Sequence, residues 1–271
     1  ALPLPQNGGL IERLKRIDLT TWIGILVGLG LIAASIAVGE GGMFFINLPS
    51  VMIVFGGTIG ATLINFRLRD ILPVFRVLAK VFVGEGVNYD QTIDILVRMA
   101  DKARREGLLS LDRDLGALND PFLRAGLQMA VDGVEPETTR SILRSQIAHL
   151  EERHQIGQNI FLAMAGFAPA FGMIGTLIGL IKMLQFLEDP SKLGFGMATA
   201  LITTFYGALS AYLFFLPAAG KLAQRTREEV LGKELIIEGV TAILNGENPR
   251  MVRERLVTFL SPRQADLQRK K

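Results

Sequence analysis

Cysteine is absent from the 271-residue sequence, and histidine occurs only twice. Without cysteine the chain has no disulfide framework, no thiol chemistry and no thiolate metal site. The two histidines, His149 and His154, are five residues apart, which misses the i, i+4 spacing that places two ligands side by side on a helix. We therefore expect both histidines to be surface residues and predict no firm metal site.

Charge is also scarce over long stretches of the sequence. Asp, Glu, Lys and Arg make up 20% of the residues, apolar residues make up 49%, and the mean hydropathy is +0.36. Four windows contain no charge: residues 19–39, 41–66, 160–181 and 194–220. Because about 20 apolar residues cross a bilayer as a helix, each window predicts a transmembrane span. The helix of the second window is expected to begin at Pro49, where a missing N–H has no cost.

The connector between the third and fourth spans holds Lys192 with two acids, but the clusters of basic residues lie on one side of these four windows. They precede the first span, occupy the segment between the second and third spans, and follow the fourth: Arg13, Lys15, Arg16, Arg67, Arg69, Arg76, Lys80, Arg153, Lys221, Arg225 and Arg227. By the positive-inside rule, both termini and the central segment are expected to be cytoplasmic. The start of the chain, ALPLPQNGGLIERLKRIDL, lacks the features of a removable signal peptide.

The predicted fold class is an all-α integral membrane protein, with four transmembrane helices and a large helical cytoplasmic loop between spans two and three. The expected order is an N-terminal segment, two spans, a cytoplasmic helical domain, two spans and C-terminal helices: 1–18, 19–66, 67–157, 158–222 and 223–271.

Helical periodicity dominates the central segment and the tail. NYDQTIDILVRMADKARREG predicts an amphipathic helix with a cap at Asn88 or Asp90 and an end at Gly107. EPETTRSILRSQIAHLEERHQIGQNI is expected to continue without a break into the third span. The tail predicts two helices separated by NGENP.

Hydroxyl groups are frequent in the fourth span. Thr199, Thr203, Tyr206 and Ser210 follow helical spacing and form one stripe, with Thr204 beside it. A stripe of small residues is expected on the third span, with Gly175 adjacent to it: Ala168, Gly172, Thr176 and Gly179. Such residues can serve helix packing and bond back to carbonyls of their own helix.

Depth favours a second interpretation of these hydroxyls. Thr176 and Thr203 are each expected about 14–17 Å below the outer connector, at the same level. Hydroxyl oxygens that meet at one level can replace the hydration shell of a small hard cation such as Na⁺. Pro169 and Pro217, one in each span, can free a carbonyl and kink the helix.

The interiors of the four spans contain no carboxylate. If ions or protons cross the membrane here, a partner has to supply the titrating acid. No nucleophile–base pair, phosphate loop or metal cluster indicates an enzyme, and no cofactor is expected. The small net positive charge follows from membrane topology, so nucleic acid is not an expected partner.

Two stretches, APAFGMIGTLIGLIKML and EDPSKLGFGMATALITTFYGALSAYLFFLPAAGKL, resemble the flagellar stator A subunits of the MotA/PomA type. These belong to the broader proton-channel superfamily of MotA, TolQ and ExbB. The resemblance extends to DLTTWIGILVGLGLI and MADKARREGLLSLDRDL and covers the chain from about residue 18 to about residue 249.

The resemblance implies a bacterial inner-membrane stator. Five copies of such a chain would surround two B subunits of the MotB/PomB type, each with an essential Asp in its single span. It places the ion path at Thr176, Thr203 and Thr204, to which the hydroxyl stripe adds Tyr206, and conformational coupling at Pro169 and Pro217. Three hydroxyls favour Na⁺ over H⁺ as the coupling ion, with transient binding near the threonines.

The same resemblance implies contact with the rotor protein FliG. The basic residue of the family's loop falls on Arg104, with Arg105 next to it, and its acidic counterpart falls on Asp112, where Glu is familiar. Two other functions stay open: a TolQ/ExbB-like energiser of another envelope machine, and a non-conducting membrane scaffold whose hydroxyls serve only helix packing.

Overall fold

A computed structural model describes residues 19–38, 42–81, 88–186, 188, 190–260 and 262–269. Helices account for nearly all of these residues, and the described part of the chain contains no strand. The all-α fold class is confirmed. The physical reason is that the apolar windows and the amphipathic segments both have helical periodicity, and neither alternates like a strand.

The first three helices are α1 (Leu19–Val38), α2 (Leu48–Asn65) and α3 (Leu68–Val81). Helix α2 begins one residue before the predicted Pro49, because the Asn47 side chain accepts a hydrogen bond from the Ser50 backbone N–H at 3.0 Å and caps the helix. A π-helical turn, Met52–Gly56, interrupts α2.

The remaining helices follow the predicted order. They are α4 (Tyr89–Glu106), α5 (Asp112–Leu115), α6 (Pro121–Val131), α7 (Pro136–Leu184), α8 (Pro190–Ser210), α9 (Leu216–Leu244), α10 (Pro249–Val257) and α11 (Pro262–Arg269). Asn88 caps α4 and Gly107, at φ +83°, ends it, as predicted. Helix α7 is the predicted unbroken rod of 49 residues, about 74 Å long.

The tail differs from its prediction in two ways. Its first helix is not separate from the fourth span, because a π-helical turn, Ala211–Phe215, carries α8 directly into α9. In addition, α11 follows the two helices that the NGENP break predicts. Pro217 lies just after the π turn and has no N–H to donate to the carbonyl of Leu213. Regular α-helical hydrogen bonding is therefore interrupted at this point by both the π turn and the proline.

Among the described residues, three helical runs are long and apolar enough to cross a membrane: α2, part of α7, and Leu193–Leu244 within α8 and α9. The apolar part of α1, Ile23–Val38, is shorter. The uncharged windows therefore form helices, as predicted, and the first of them gives the shortest apolar helix.

The chain divides into two compact units. The first consists of Ala1–Glu85 and His154–Gln224. Its core contains Ile71, Val74, Ile160, Phe161, Met164, Ala168, Ala211, Phe215, Ala218, Ala219 and Leu222. Helix α3 belongs to this unit because Ile71 and Val74 are buried in this core, whereas the sequence analysis placed it in the segment that starts at residue 67.

The second unit consists of Gly86–Arg153 and Arg225–Lys271. Its core is formed by apolar side chains of α4, α6, α9, α10 and the start of α7, together with Leu111 just before α5 and Leu115 at its end. Several core side chains have no exposed surface: Leu96, Leu111, Leu127, Leu143, Ile237 and Leu256. The Tyr89 hydroxyl donates a hydrogen bond to the backbone carbonyl of Glu228 at 2.8 Å. Burial and the Glu228 carboxylate raise the pKa of Tyr89, so this hydroxyl stays protonated.

Candidate functional site

Helices α7 and α8 pack with their backbones almost in contact. A Cβ atom added to Gly179 would lie 2.7 Å from the Gly196 carbonyl oxygen and the Ala200 nitrogen, and one added to Gly207 would lie 2.7 Å from the Ala168 carbonyl oxygen. All five residues are buried. Small residues on both helices thus form a close seam, the arrangement that favours helix association in a membrane.

Gly175, and not Thr176, continues this seam on α7. A Cβ atom at Gly175 would lie 2.5 Å from the Thr203 Cβ and 2.7 Å from its Oγ1. Thr203 has no exposed surface and fills the space that the missing side chain leaves. The observed stripe is therefore Ala168, Gly172, Gly175 and Gly179, and the prediction that Thr176 belongs to it is wrong, because Thr176 lies beside it and is partly exposed.

The threonine hydroxyls in the apolar parts of α7 and α8 donate to carbonyls of their own helices. Thr203 donates to the carbonyls of Thr199 and Ala200 at 2.9 and 2.8 Å, and Thr204 also donates to Ala200, at 3.3 Å. Thr176 donates to Met173 at 2.6 Å. A hydroxyl has one proton and two lone pairs, so each oxygen keeps acceptor capacity after this bond is made. The hydroxyls are therefore stable in an apolar helix and still able to bind a cation.

The four predicted ion-path residues occupy three different environments. Thr204 is exposed and Thr176 is partly exposed, whereas Thr203 is buried in the seam. A Cβ atom added to Gly172 would lie 3.4 Å from the Cα of Thr204. Gly172 is one helical turn from Thr176, so Thr176 and Thr204 both lie where α7 packs against α8. Of the three predicted ion-path threonines, Thr204 and Thr176 thus reach the surface of the helix pair and Thr203 does not.

Tyr206 belongs to a different contact. Its hydroxyl donates to the carbonyl of Phe45, in the turn before α2, and its ring lies 6.4 Å from the ring of Phe55. Phe205 packs edge-on against Phe45 at 5.7 Å. The structure therefore joins Tyr206 to the segment around α2 and not to the three threonines.

Helix α2 contributes polar groups that the sequence analysis did not identify. Ser50, Thr58 and Thr62 are buried, and with Val54 they share an i, i+4 spacing that marks the packed face of α2. Ser50 Oγ donates to the Asn47 side chain at 2.9 Å and lies 3.4 Å from the Thr199 carbonyl oxygen. Thr58 and Thr62 bond back to carbonyls four residues earlier. The i, i+4 spacing of these polar residues is the feature of the sequence from which this packed face could have been predicted.

The two prolines lie at different places. Pro169 is in the seam, with its Cα 3.2 Å from the position of a Cβ at Gly207. Pro217 is exposed and follows the π turn between α8 and α9. Both are positions where a regular helical hydrogen bond is missing. Their role in conformational coupling stays a prediction.

A charged surface lies at the end of α4 in the second unit. Arg104, Arg105 and Asp112 are exposed, as expected. Arg105 pairs with Asp101 at 3.1 Å, and the described residues give Arg104 and Asp112 no ion-pair partner. Exposed pairs of this kind contribute little to stability, so these charges are available for another molecule.

Similarity to known proteins agrees with this arrangement. The model of the MotA/TolQ/ExbB proton channel family matches residues 115–234. Motility protein A of Borreliella burgdorferi is 42% identical over 248 residues, which cover 91% of this chain and 95% of that protein. Chemotaxis protein PomA of Vibrio alginolyticus is 36% identical over 90% of this chain and 96% of its own length.

Among solved structures, the flagellar MotAB stator complex from Bacillus subtilis contains a similar chain. The TM-score is 0.85 at 32% sequence identity, and the match covers 94% of this chain and all of that one. Because the match covers 94% of this chain, it includes residues of both compact units. The chain is therefore a membrane protein of the MotA/TolQ/ExbB proton channel family, of the MotA/PomA type.

Proposed function

We propose that this chain is a stator subunit of the bacterial flagellar motor, and that it forms an ion channel with a B-type partner and converts Na⁺ flow into torque on the rotor. The observation that carries the proposal is the α7–α8 pair: a glycine-packed seam with exposed threonine hydroxyls and no carboxylate between residues 160 and 181 or between 194 and 220. The similarity to motility protein A and to the MotAB stator supports it.

In this channel the chain supplies an uncharged wall and the partner supplies the acid. Thr176 and Thr204 offer hydroxyl oxygens to a dehydrating Na⁺, while each hydroxyl keeps donating its hydrogen bond to a carbonyl of its own helix. Thr203 does not contact the ion in this proposal; its buried side chain packs against Gly175 and sets the distance between α7 and α8. The Asp in the span of the partner completes the cation's ligands, and H⁺ is the second candidate ion.

The assembly that fits this wall is a ring of five copies around two MotB/PomB-type chains in the inner membrane. Four spans per copy, with both termini in the cytoplasm, agree with the basic residues on one side of the apolar windows. Exposed apolar side chains on α1, α2, α7 and α8 would then face lipid, neighbouring copies or the partner. The second unit would face the rotor protein FliG.

Replacing Thr176 and Thr204 together by Val tests the ion path. We expect Na⁺ conduction to fall by about tenfold or more, since each change removes one oxygen ligand from a dehydrated cation and interactions with charge contribute about 1.5–3 kcal/mol. The measurement is swimming speed with and without sodium at constant pH, together with growth inhibition by a partner from which the channel plug has been removed.

Thr62→Val is the matched control, because Thr62 is buried in α2 and bonds only to the Thr58 carbonyl. It should conduct normally, and the chain without its partner should not conduct at all. Unchanged sodium-dependent motility in the double variant would favour a non-conducting scaffold, and flux from the chain alone would contradict the need for a partner acid.

Reversing the charge of Arg104 tests the rotor contact. Arg104→Glu is expected to reduce torque severalfold and to spare ion conduction, because the side chain is exposed and has no ion-pair partner among the described residues. Bead rotation under load measures torque. Arg98→Glu, on the same helix, is a charge-matched control. Loss of conduction with intact rotor binding would show that this residue acts elsewhere.

A further inference from the structure

Leu109 is the most exposed large apolar side chain among the described residues of the second unit. It is 76% exposed, compared with 61% for Met251 and 41% for Ile142 and Leu231. A single exposed leucine is ordinary on a protein surface. What distinguishes Leu109 is the rigid turn that carries it and the charges beside it.

The turn that carries Leu109 is fixed on both sides. Gly107 ends α4 with a positive φ that favours glycine, and Ser110 Oγ donates to the Gly107 carbonyl at 2.7 Å. Leu111 is fully buried in the core of the unit. Lys102 and Asp114 form an ion pair of 2.7 Å that ties α5 back to α4. Leu109 is therefore held towards solvent by the backbone and loses little freedom when a partner covers it.

Exposed charges flank Leu109 along the chain, at the end of α4 and at the start of α5. Arg104, Arg105 and Glu106 precede it by five, four and three residues, and Asp112 and Arg113 follow it by three and four. All five side chains are exposed, and they carry both signs of charge. An apolar anchor surrounded by a polar rim is the arrangement that concentrates binding energy in protein interfaces, since the rim excludes water from the anchor.

We propose that Leu109 is the apolar anchor of the rotor-facing surface. It inserts into an apolar recess of the rotor protein that is bordered by carboxylates, opposite Arg104 and Arg105, and by a basic group, opposite Asp112. This inference rests on the proposed stator function and adds to it a contact that is not electrostatic. The charges orient the encounter, and the leucine holds the two surfaces together while the stator pushes.

The test compares Leu109→Ser, Leu109→Met and Met251→Ser in motors that contain the full chain and its partner, in a host without its own A subunit. Leu109→Ser is expected to lower stall torque and the number of stators engaged at the motor by about tenfold, the size of effect of a lost interface anchor. Leu109→Met should keep most of the torque, because methionine preserves the apolar volume. Met251→Ser should keep all of it.

A photoreactive amino acid at position 109 should crosslink to the rotor protein, and the same amino acid at position 251 should not. If Leu109→Ser keeps full torque while Arg104→Glu loses it, the anchor is wrong and the stator function stands. If Leu109→Ser loses ion flux or membrane abundance as well as torque, the residue is structural and the anchor is again wrong. If neither variant changes torque, the rotor contact itself is wrong.

Discussion

Gly175→Val is expected to abolish motility and to lower the stability of the helix bundle by about 1–3 kcal/mol or more, the usual range for overpacking a core. The first atom of any side chain at this position would lie 2.5 Å from the Thr203 Cβ. Because α7 and α8 also touch through backbone at Gly179 and Gly207, neither helix can move away locally. Abundance in the membrane, thermal unfolding in detergent and sodium-driven flux measure the effect.

The chain provides a control on the same helix. Gly166 is exposed, and a Cβ atom there would meet nothing within 4 Å, so Gly166→Val should be tolerated. Adding Thr203→Gly to the Gly175→Val variant should recover part of the loss, since it removes the Thr203 atoms that clash with a side chain at position 175. A stable, conducting Gly175→Val variant would show that α7 and α8 are not in close contact at this position.

Leu96→Ala is expected to destabilise the second unit by about 2–5 kcal/mol, as is usual when a buried leucine leaves a cavity. Leu96 has no exposed surface, and its methyl groups lie over Gly239 of α9, where an added Cβ would be 2.6 Å from one of them. Removal of this side chain leaves a void between α4 and α9. Thermal unfolding of the purified chain measures the change.

Leu109→Ala is the matched control for this prediction, because the same atoms are deleted from a side chain that is 76% exposed. Its unfolding temperature should stay within about 4 °C of the unsubstituted chain, since exposed substitutions change stability by about 0.5 kcal/mol or less. Equal losses for the two variants would contradict the placement of Leu96 in the core. A stable Leu109→Ala variant with low torque would separate stability from rotor contact.

Local signals in the sequence predicted the helices well. Asn88 as a cap, Gly107 as an end and Pro49 near a start are all confirmed, because caps and turns depend on backbone groups only a few residues away. The unbroken rod of α7 was predictable for the same reason, since nothing between Pro136 and the third apolar window stops a helix. Pro169 does not end it.

The predicted ion-path residues show where such signals stop. Thr203 and Thr204 are adjacent and chemically identical, yet the first is buried against Gly175 and the second is exposed. Tyr206 shares the helical stripe of Thr203 but bonds to the Phe45 carbonyl before α2. Periodicity tells which residues share a face of a helix, and it does not tell which neighbouring helix covers that face.

The sequence by itself determined the all-α class, the apolar runs, the absence of an acid within them and the residues able to bind a cation or a charged partner. These properties are set by side-chain chemistry and by the spacing of neighbours along one helix. Only the tertiary structure decided that Gly175 forms the seam in place of Thr176, that α3 packs with the first unit, and that Leu109 points outward. Each of these depends on contacts between segments far apart in the chain, where packing geometry selects one arrangement among several that the sequence pattern allows.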